Sequence, residues 1–138
     1  MPILRPPRPT LASVLAGGYP PEYGPTVQGA TNVTPLVMTT CPSGVWRVVI
    51  RASAEWVSGA AQANTIIQVL RGGVYYTVNT PDNPINSALY KTCSQMDTPL
   101  TLRPGDSLTC RDILTGANIS RGCCAYVDVP IPEGEPTL

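Results

Sequence analysis

The side chains with chemistry to offer are few. Asp97, Asp106 and Asp112 gather around the turn Pro104-Gly105-Asp106, and two carboxylates facing each other across a hairpin can divide the roles of general acid and general base. They have no help from elsewhere. The chain contains no histidine, which removes Ser-His-Asp and Cys-His nucleophile systems together with the commonest general base. Turn aspartates ordinarily accept hydrogen bonds from the turn's own amides, so the chain reads as a protein that is not an enzyme. The same aspartates, with Asn79, Asp82, Asn83 and Asn86, carry oxygens of the kind Ca²⁺ takes, but the DxDxDG spacing of a calcium loop is missing.

Five cysteines, Cys41, Cys93, Cys110, Cys123 and Cys124, form no CxxC pair, so they do not offer the closely spaced ligands of a tetrahedral zinc site. They read mainly as reduced, buried, apolar thiols; the alternative is a bridge or two, formed once the protein meets an oxidising medium. With no GxGxxG and no phosphate loop in the sequence, neither a metal nor a cofactor is expected.

What remains is contact chemistry, and it concentrates at the N-terminus. Residues 1–30 hold seven of the sixteen prolines, a composition that cannot build its own core and reads as an arm held by a partner. Arg5-Pro6-Pro7-Arg8-Pro9 favours polyproline II, which presents two arginines at low entropic cost. Tyr19 and Tyr23, flanking Pro20 and Pro21, form a second stiff segment with two aromatic anchors. Between them, Leu11, Val14 and Leu15 belong to an apolar run that ends at Gly17, a short helix or an apolar plug. It falls far short of the eighteen or so residues of a membrane span, and Ser13 together with the preceding prolines argues against a signal peptide.

Charge supports the same emphasis. Asp, Glu, Lys and Arg make up 13% of the chain against about 25% in ordinary globular domains, and Lys91 is the single lysine. Interfaces are depleted in Lys, Glu and Asp, so this composition suits a subunit much of whose outside is covered by neighbours. The net charge is zero, yet Arg5 and Arg8 sit at one end and Asp128, Glu133 and Glu135 at the other, an asymmetry suited to head-to-tail contact. Two arginines are too few to neutralise a row of phosphates, and nucleic acid is not an expected partner; nor is a membrane.

The arm must be carried by something rigid, and the rest of the chain reads as strands. Residues 45–57 alternate Trp46, Val48, Ile50, Ala52, Ala54 and Trp56 with Arg47, Val49, Arg51, Ser53 and Glu55, which predicts one long strand with Trp46, Val48, Ile50 and Trp56 in the core. At about 3.3 Å per residue it would run roughly 43 Å, long enough to demand strong twist or a bulge near Ser53. Residues 65–71 and 74–78 flank Gly72-Gly73 and read as a hairpin. Residues 80–87 form a loop, 87–93 a further strand, and 98–103 and 107–111 a second hairpin around the Pro-Gly-Asp turn. With 31–40 in front and 122–129 behind, the count is about eight strands and no long helix. The fold class is therefore all-β, an antiparallel β-sandwich or jelly roll, divided as an arm over 1–30, a sandwich over 31–130 and an acidic tail over 131–138.

The stretch 100–110, LTLRPGDSLTC, resembles the late hairpin of small trimeric jelly rolls such as the tumour-necrosis-factor-like and complement-type domains, where an apolar strand enters a Gly-Asp turn and leaves as the next strand. The combination of a compact β domain with an arm is similar in plan to bacteriophage decoration and head-fibre proteins. That resemblance implies a structural virion protein made in the host cytoplasm, a homo-oligomer with a trimer favoured, whose arm grips the major capsid protein or other virion subunits. A head-completion, collar or tail-ring component is the neighbouring alternative. A carbohydrate- or receptor-binding module is the alternative of another class, with Tyr75, Tyr76, Tyr90, Tyr126 and the 80–87 loop as its recognition surface.

Overall fold

The computed structural model describes residues 8–17, 19–30, 34–58, 65–79, 93–96, 98–112 and 119–132. They form an antiparallel β-sandwich with one short helix. The helix α1 spans Leu11–Leu15, and the strands are β1 (Glu22–Tyr23), β2 (Val27–Ala30), β3 (Leu36–Thr40), β4 (Val45–Ser58), β5 (Thr65–Arg71), β6 (Val74–Asn79), β7 (Cys93–Met96), β8 (Leu100–Leu102), β9 (Ser107–Asp112) and β10 (Ile119–Pro130).

These ten segments fill eight places. One sheet runs β1-β10-β4-β7, with β2 also on β10 and β8 also on β4; the other runs β3-β9-β5-β6. β1 and β2 meet successive stretches of β10, Glu22 opposite Tyr126 and Val27 opposite Gly122, and so make one edge strand interrupted around Pro25. β7 and β8 do the same along β4 on either side of Pro99, which has no N–H to give a ladder. From β2 onward the chain alternates between the sheets except at the β5–β6 hairpin, the double Greek-key winding of a jelly roll.

The β5–β6 hairpin forms where the sequence places it. Gly72 and Gly73 take φ of 57° and 79°, the paired positive values of a primed two-residue turn that matches strand twist. The expected second hairpin does not form. β8 pairs with β4 in one sheet while β9 pairs with β3 and β5 in the other, so the Pro104-Gly105-Asp106 turn carries the chain across the sandwich instead of folding it back on itself.

The long strand is present at fourteen residues, but its even face is not one continuous core. β10 is opposed by two extra residues of β4, one at Ile50 and one at Val57, flanking the Ser53 position where a single irregularity was expected. A bulge adds one residue and reverses the alternation beyond it. Ala52 and Ala54 therefore face the core between the sheets together with Val49, not Val48. Val48 faces the opposite side with the half-buried Trp46 and Ile50 in a second, smaller cluster. Trp56 is buried.

The main core joins Val49 and Ala52 to Ile67, Val69, Leu108 and Cys110 of the facing sheet. The sheets pack tightly at Gly122, where a Cβ would lie 2.7 Å from Met38 Sδ and 2.8 Å from Cys110 Sγ.

Candidate functional site

The arm residues 10–30 belong to the sandwich. Thr10 caps α1 through a reciprocal pair: its Oγ1 accepts from the Ser13 amide at 3.2 Å, and Ser13 Oγ accepts from the Thr10 amide at 2.9 Å. Gly17, at φ 82°, ends the helix, and its N–H donates to the Val14 carbonyl. Five helical residues have no stability of their own. Val14 supplies it: 2% exposed, it packs against Val48, Val127 and Val129 on the outer face of the six-stranded sheet. Leu11 and Tyr19, with Trp46 and Ile50, close the rim of this cluster.

The arm residues singled out in the sequence thus divide. Leu11, Val14 and Tyr19 cover the chain's own sheet, while Leu15 at 50% and Tyr23 at 81% stay open. Arg8 is exposed and Pro9 half-buried; Arg5, Pro6 and Pro7 lie outside the described residues. The division drawn at residue 30 falls between two strands of the sandwich, because β1 and β2 are already the outer edge of the sheet. Their only signal in the sequence was a weak alternation through Tyr23 and Val27, broken by Pro25.

Docking the arm walls off a trough on the outer face of that sheet. Its middle section, about 490 Å³, has Arg51, Ser53, Cys123 and Ala125 on the floor, Tyr23 and Thr26 on the arm side and Gln95 on the β7 side. Toward α1 it continues into an apolar section of about 400 Å³ bounded by Leu15, Tyr19, Pro21, Ile50 and Pro99. Toward the other end it runs out over the Glu55–Arg121 ion pair. Ser53 Oγ and Cys123 Sγ sit 3.3 Å apart on its floor. Among the described residues Arg51 enters no ion pair.

Among the described residues, Asp106 and Asp112 stand apart. Asp106 serves its own turn: Oδ2 accepts from the Arg103 amide at 2.9 Å and from Arg71 Nε at 2.9 Å and Nη2 at 2.5 Å. Burial alone would raise its pKa, but the Arg71 and Arg103 hydrogen bonds and the two positive charges outweigh burial and lower it. Asp112 stands at the far end of β9, about 20 Å along the strand, well beyond acid–base pairing distance. Asp97, Asp82, Asn83 and Asn86, together with Tyr90 and the 80–87 loop, lie outside the described residues. No group of three His, Cys, Asp or Glu side chains comes together as a metal set among the described residues.

One polar cluster escaped the sequence reading. Arg47 grips Asp128 with two parallel bonds of 2.8 and 2.9 Å, donates to Thr39 Oγ1 at 2.7 Å and the Thr40 carbonyl at 3.0 Å, and lies 3.9 Å over the Tyr126 ring. It ties both sheets together, and the Asp128 hydrogen bond raises its pKa further. Cys41, Cys110, Cys123 and Cys124 are free thiols; burial pushes Cys110 up to about 12 and Cys124 to about 11. Cys123 alone of these four is not buried.

Three further open apolar side chains lie on the opposite sheet: Val74, Tyr75 and Tyr76 of the edge strand β6 are 50%, 43% and 54% exposed, with Tyr75 on the other face of the strand from Val74 and Tyr76. No helix among the described residues is long and apolar enough to cross a membrane. No family model, curated protein or solved structure matches the chain.

Proposed function

We propose that the chain is a structural subunit of a virion, most concretely a capsid-decoration or head-fibre base protein of a tailed bacteriophage. It works as a homo-oligomer, a trimer by preference, that grips the major capsid protein or a neighbouring virion subunit and raises the free energy needed to separate capsomers. One observation carries the reading: open apolar side chains sit on both sheets, Leu15 and Tyr23 on the arm and Val74, Tyr75 and Tyr76 on β6, in a chain with only 13% charged residues. Exposed apolar side chains on both sheets suit a subunit with neighbours on more than one side. The jelly-roll winding is compatible with capsid proteins and with many others, so it adds the scaffold and not the role.

The packing of α1 changes how the arm works in this proposal. Residues 10–30 cannot leave without uncovering Val48, Val127 and Val129, so the gripping segment is 1–9, with Leu15 and Tyr23 beside it. The test is co-sedimentation with purified shells of the same virus's major capsid protein. The full chain is expected to pellet with shells, and a variant lacking residues 1–9 to stay in the supernatant with its fold intact by circular dichroism. Equal pelleting of the two chains would remove the arm from the proposal, and no pelleting of the full chain would remove the capsid.

A further inference from the structure

We propose that β6 is the edge through which two copies of this chain pair, antiparallel and about a two-fold axis, joining their four-stranded sheets into one continuous sheet. The exposure of β6 has the pattern of an edge and not of a face. Val74 and Tyr76 lie on one side of the strand and Tyr75 on the other, and all three are about half open. A strand added alongside covers both sides at once. The backbone is turned the same way. The two-residue turn at Gly72-Gly73 makes Arg71 and Val74 the hydrogen-bonded pair that closes the hairpin. Alternation from there points the amide and carbonyl of Tyr75, and again those of Thr77, away from β5.

The residues of this edge favour pairing where the other edges resist it. Among the described strands, the β1/β2 edge is interrupted at Pro25, the β7/β8 edge at Pro99, and β3 carries an irregularity between Val37 and Thr39; prolines and bulges guard against edge-to-edge association. β6 reads Val-Tyr-Tyr-Thr-Val-Asn, with neither a charge nor a proline, and the irregularity in its pairing with β5 comes after Thr77. A net charge of zero sets up no repulsion between copies. A second copy fits because the outward groups repeat two residues apart. With Tyr76 on the axis, Tyr75 of each copy exchanges its outward hydrogen bonds with Thr77 of the other. Tyr76 then faces its own counterpart in a non-hydrogen-bonded pair, Cα atoms about 4.5 Å apart, where cross-strand aromatic contact is closest. Area sets the strength. About 100 Å² from each half-open tyrosine, with Val74 and Thr77 beside them, comes to roughly 400 Å² per copy against about 800 Å² in a stable interface. The pair is therefore transient in dilute solution and fills where copies are concentrated. It rests on the homo-oligomer part of the function proposed above, gives Val74, Tyr75 and Tyr76 to the contact between copies, and leaves Leu15 and Tyr23 to the capsid. A two-fold contact makes dimers, or pairs of trimers where a three-fold contact is made elsewhere.

The test is sedimentation equilibrium of the full chain, without shells, at concentrations up to about 1 mM. The wild type is expected to form even-numbered species with a Kd of about 0.1 mM. Tyr76→Lys and Tyr76→Glu each set like charges against each other on the axis and should weaken pairing about tenfold or more, while an equimolar mixture of the two should pair again. Val37→Lys, on the opposite edge of the same sheet, should change nothing. Because Tyr76 is exposed, both of its variants should keep the wild-type melting profile. A wild type that stays monomeric at about 1 mM, whether another segment of this chain or the capsid protein covers β6, would overturn the proposal. So would trimers with no even-numbered species, undiminished pairing in Tyr76→Lys, or a mixture that fails to pair. Co-sedimentation with shells separates this contact from the capsid reading. Dimers that do not pellet would keep the pairing and remove the capsid, whereas a monomeric wild type whose pelleting Tyr76→Lys abolishes would give β6 to the shell and overturn the pairing.

Discussion

Val14 and Leu15 are neighbours on a five-residue helix, and the structure assigns them opposite weights. Val14 is 2% exposed against Val48, Val127 and Val129, whereas Leu15 is 50% exposed. Val14→Ala removes two methyl groups from that contact, a loss of about 1.6 kcal/mol at ~0.8 kcal/mol per buried carbon. Arm residues on the rim can relax into the gap, which keeps the added cavity cost small, and the expected total is about 1.5–2 kcal/mol. Leu15→Ala should stay within about 0.5 kcal/mol, as an exposed substitution does. Val14→Asp goes further, because a carboxylate cannot stay among three valines: α1 should detach, since the half-buried Leu11 and Tyr19 at the rim are too little to hold so short a helix. Urea unfolding gives the first two values, and hydrogen exchange at Val127 and Val129 with proteolysis at residues 8–17 reports the detachment. Equal effects of Val14→Ala and Leu15→Ala, or arm protection unchanged in Val14→Asp, would refute the docking of α1 on this sheet.

Other consequences are equally open to measurement. Arg47→Met leaves Asp128 without its partner and is expected to cost about 2–3 kcal/mol in chemical denaturation, with Arg47→Lys between it and the wild type because an ammonium cannot reproduce the fork; a neutral Arg47→Met would contradict the cross-sheet role. Gly122→Ala places a methyl against Met38 and the fully buried Cys110 and should cost about 1–3 kcal/mol; Met38→Ala should recover part of it, and strict additivity of the pair would refute direct contact. The Asp106 carboxyl has its pKa lowered on folding, so the unfolded chain binds its proton more readily. Its stabilisation is then complete above the unfolded value of ~3.9 and fades as pH falls below it toward the folded value. Asp106→Asn should flatten that acid limb in pH-dependent melts, and an unchanged slope would remove the linkage. Under brief alkylation of the native protein, peptide mapping should find Cys123 modified while Cys41, Cys110 and Cys124 stay protected.

Much of the fold is legible in the sequence because it rests on local rules. The Gly72-Gly73 turn needs nothing beyond two residues free to take positive φ between β-branched runs, and it forms in place. Gly17 marks the end of the apolar run at 11–16, while the Thr10–Ser13 cap that starts the helix emerges only in the structure. The Pro104-Gly105-Asp106 turn is equally readable as a turn but not as a connection. Whether the strands leaving a turn pair with each other or part to different sheets depends on what lies across from them, and here β4 claims β8 while β3 and β5 claim β9. The alternation in β4 misleads for a related reason. A bulge is set by the opposing strand, so the extra residues at Ile50 and Val57 are invisible in β4 alone, and they send Val48 and Ala52 to opposite faces.

The site divides along the same line. Composition alone sets aside histidine-dependent catalysis, and the wealth of proline with the scarcity of charge directs attention to contact surfaces. Those inferences need only counts of residue types. Which residues stay exposed is decided at a distance: Val14 and Leu15 look alike in a linear reading, and only the approach of β10 and β4 buries one and leaves the other open. Tyr23 and Arg51 come to line one trough, and Arg47 meets both Asp128 and Thr39, through pairings between residues far apart in the chain. The sequence by itself determined the β class, the turns and the kinds of side chain on offer, because each follows from backbone preference within a few residues. Tertiary structure decided which faces are covered and which polar groups converge, because burial depends on the strand that happens to lie opposite.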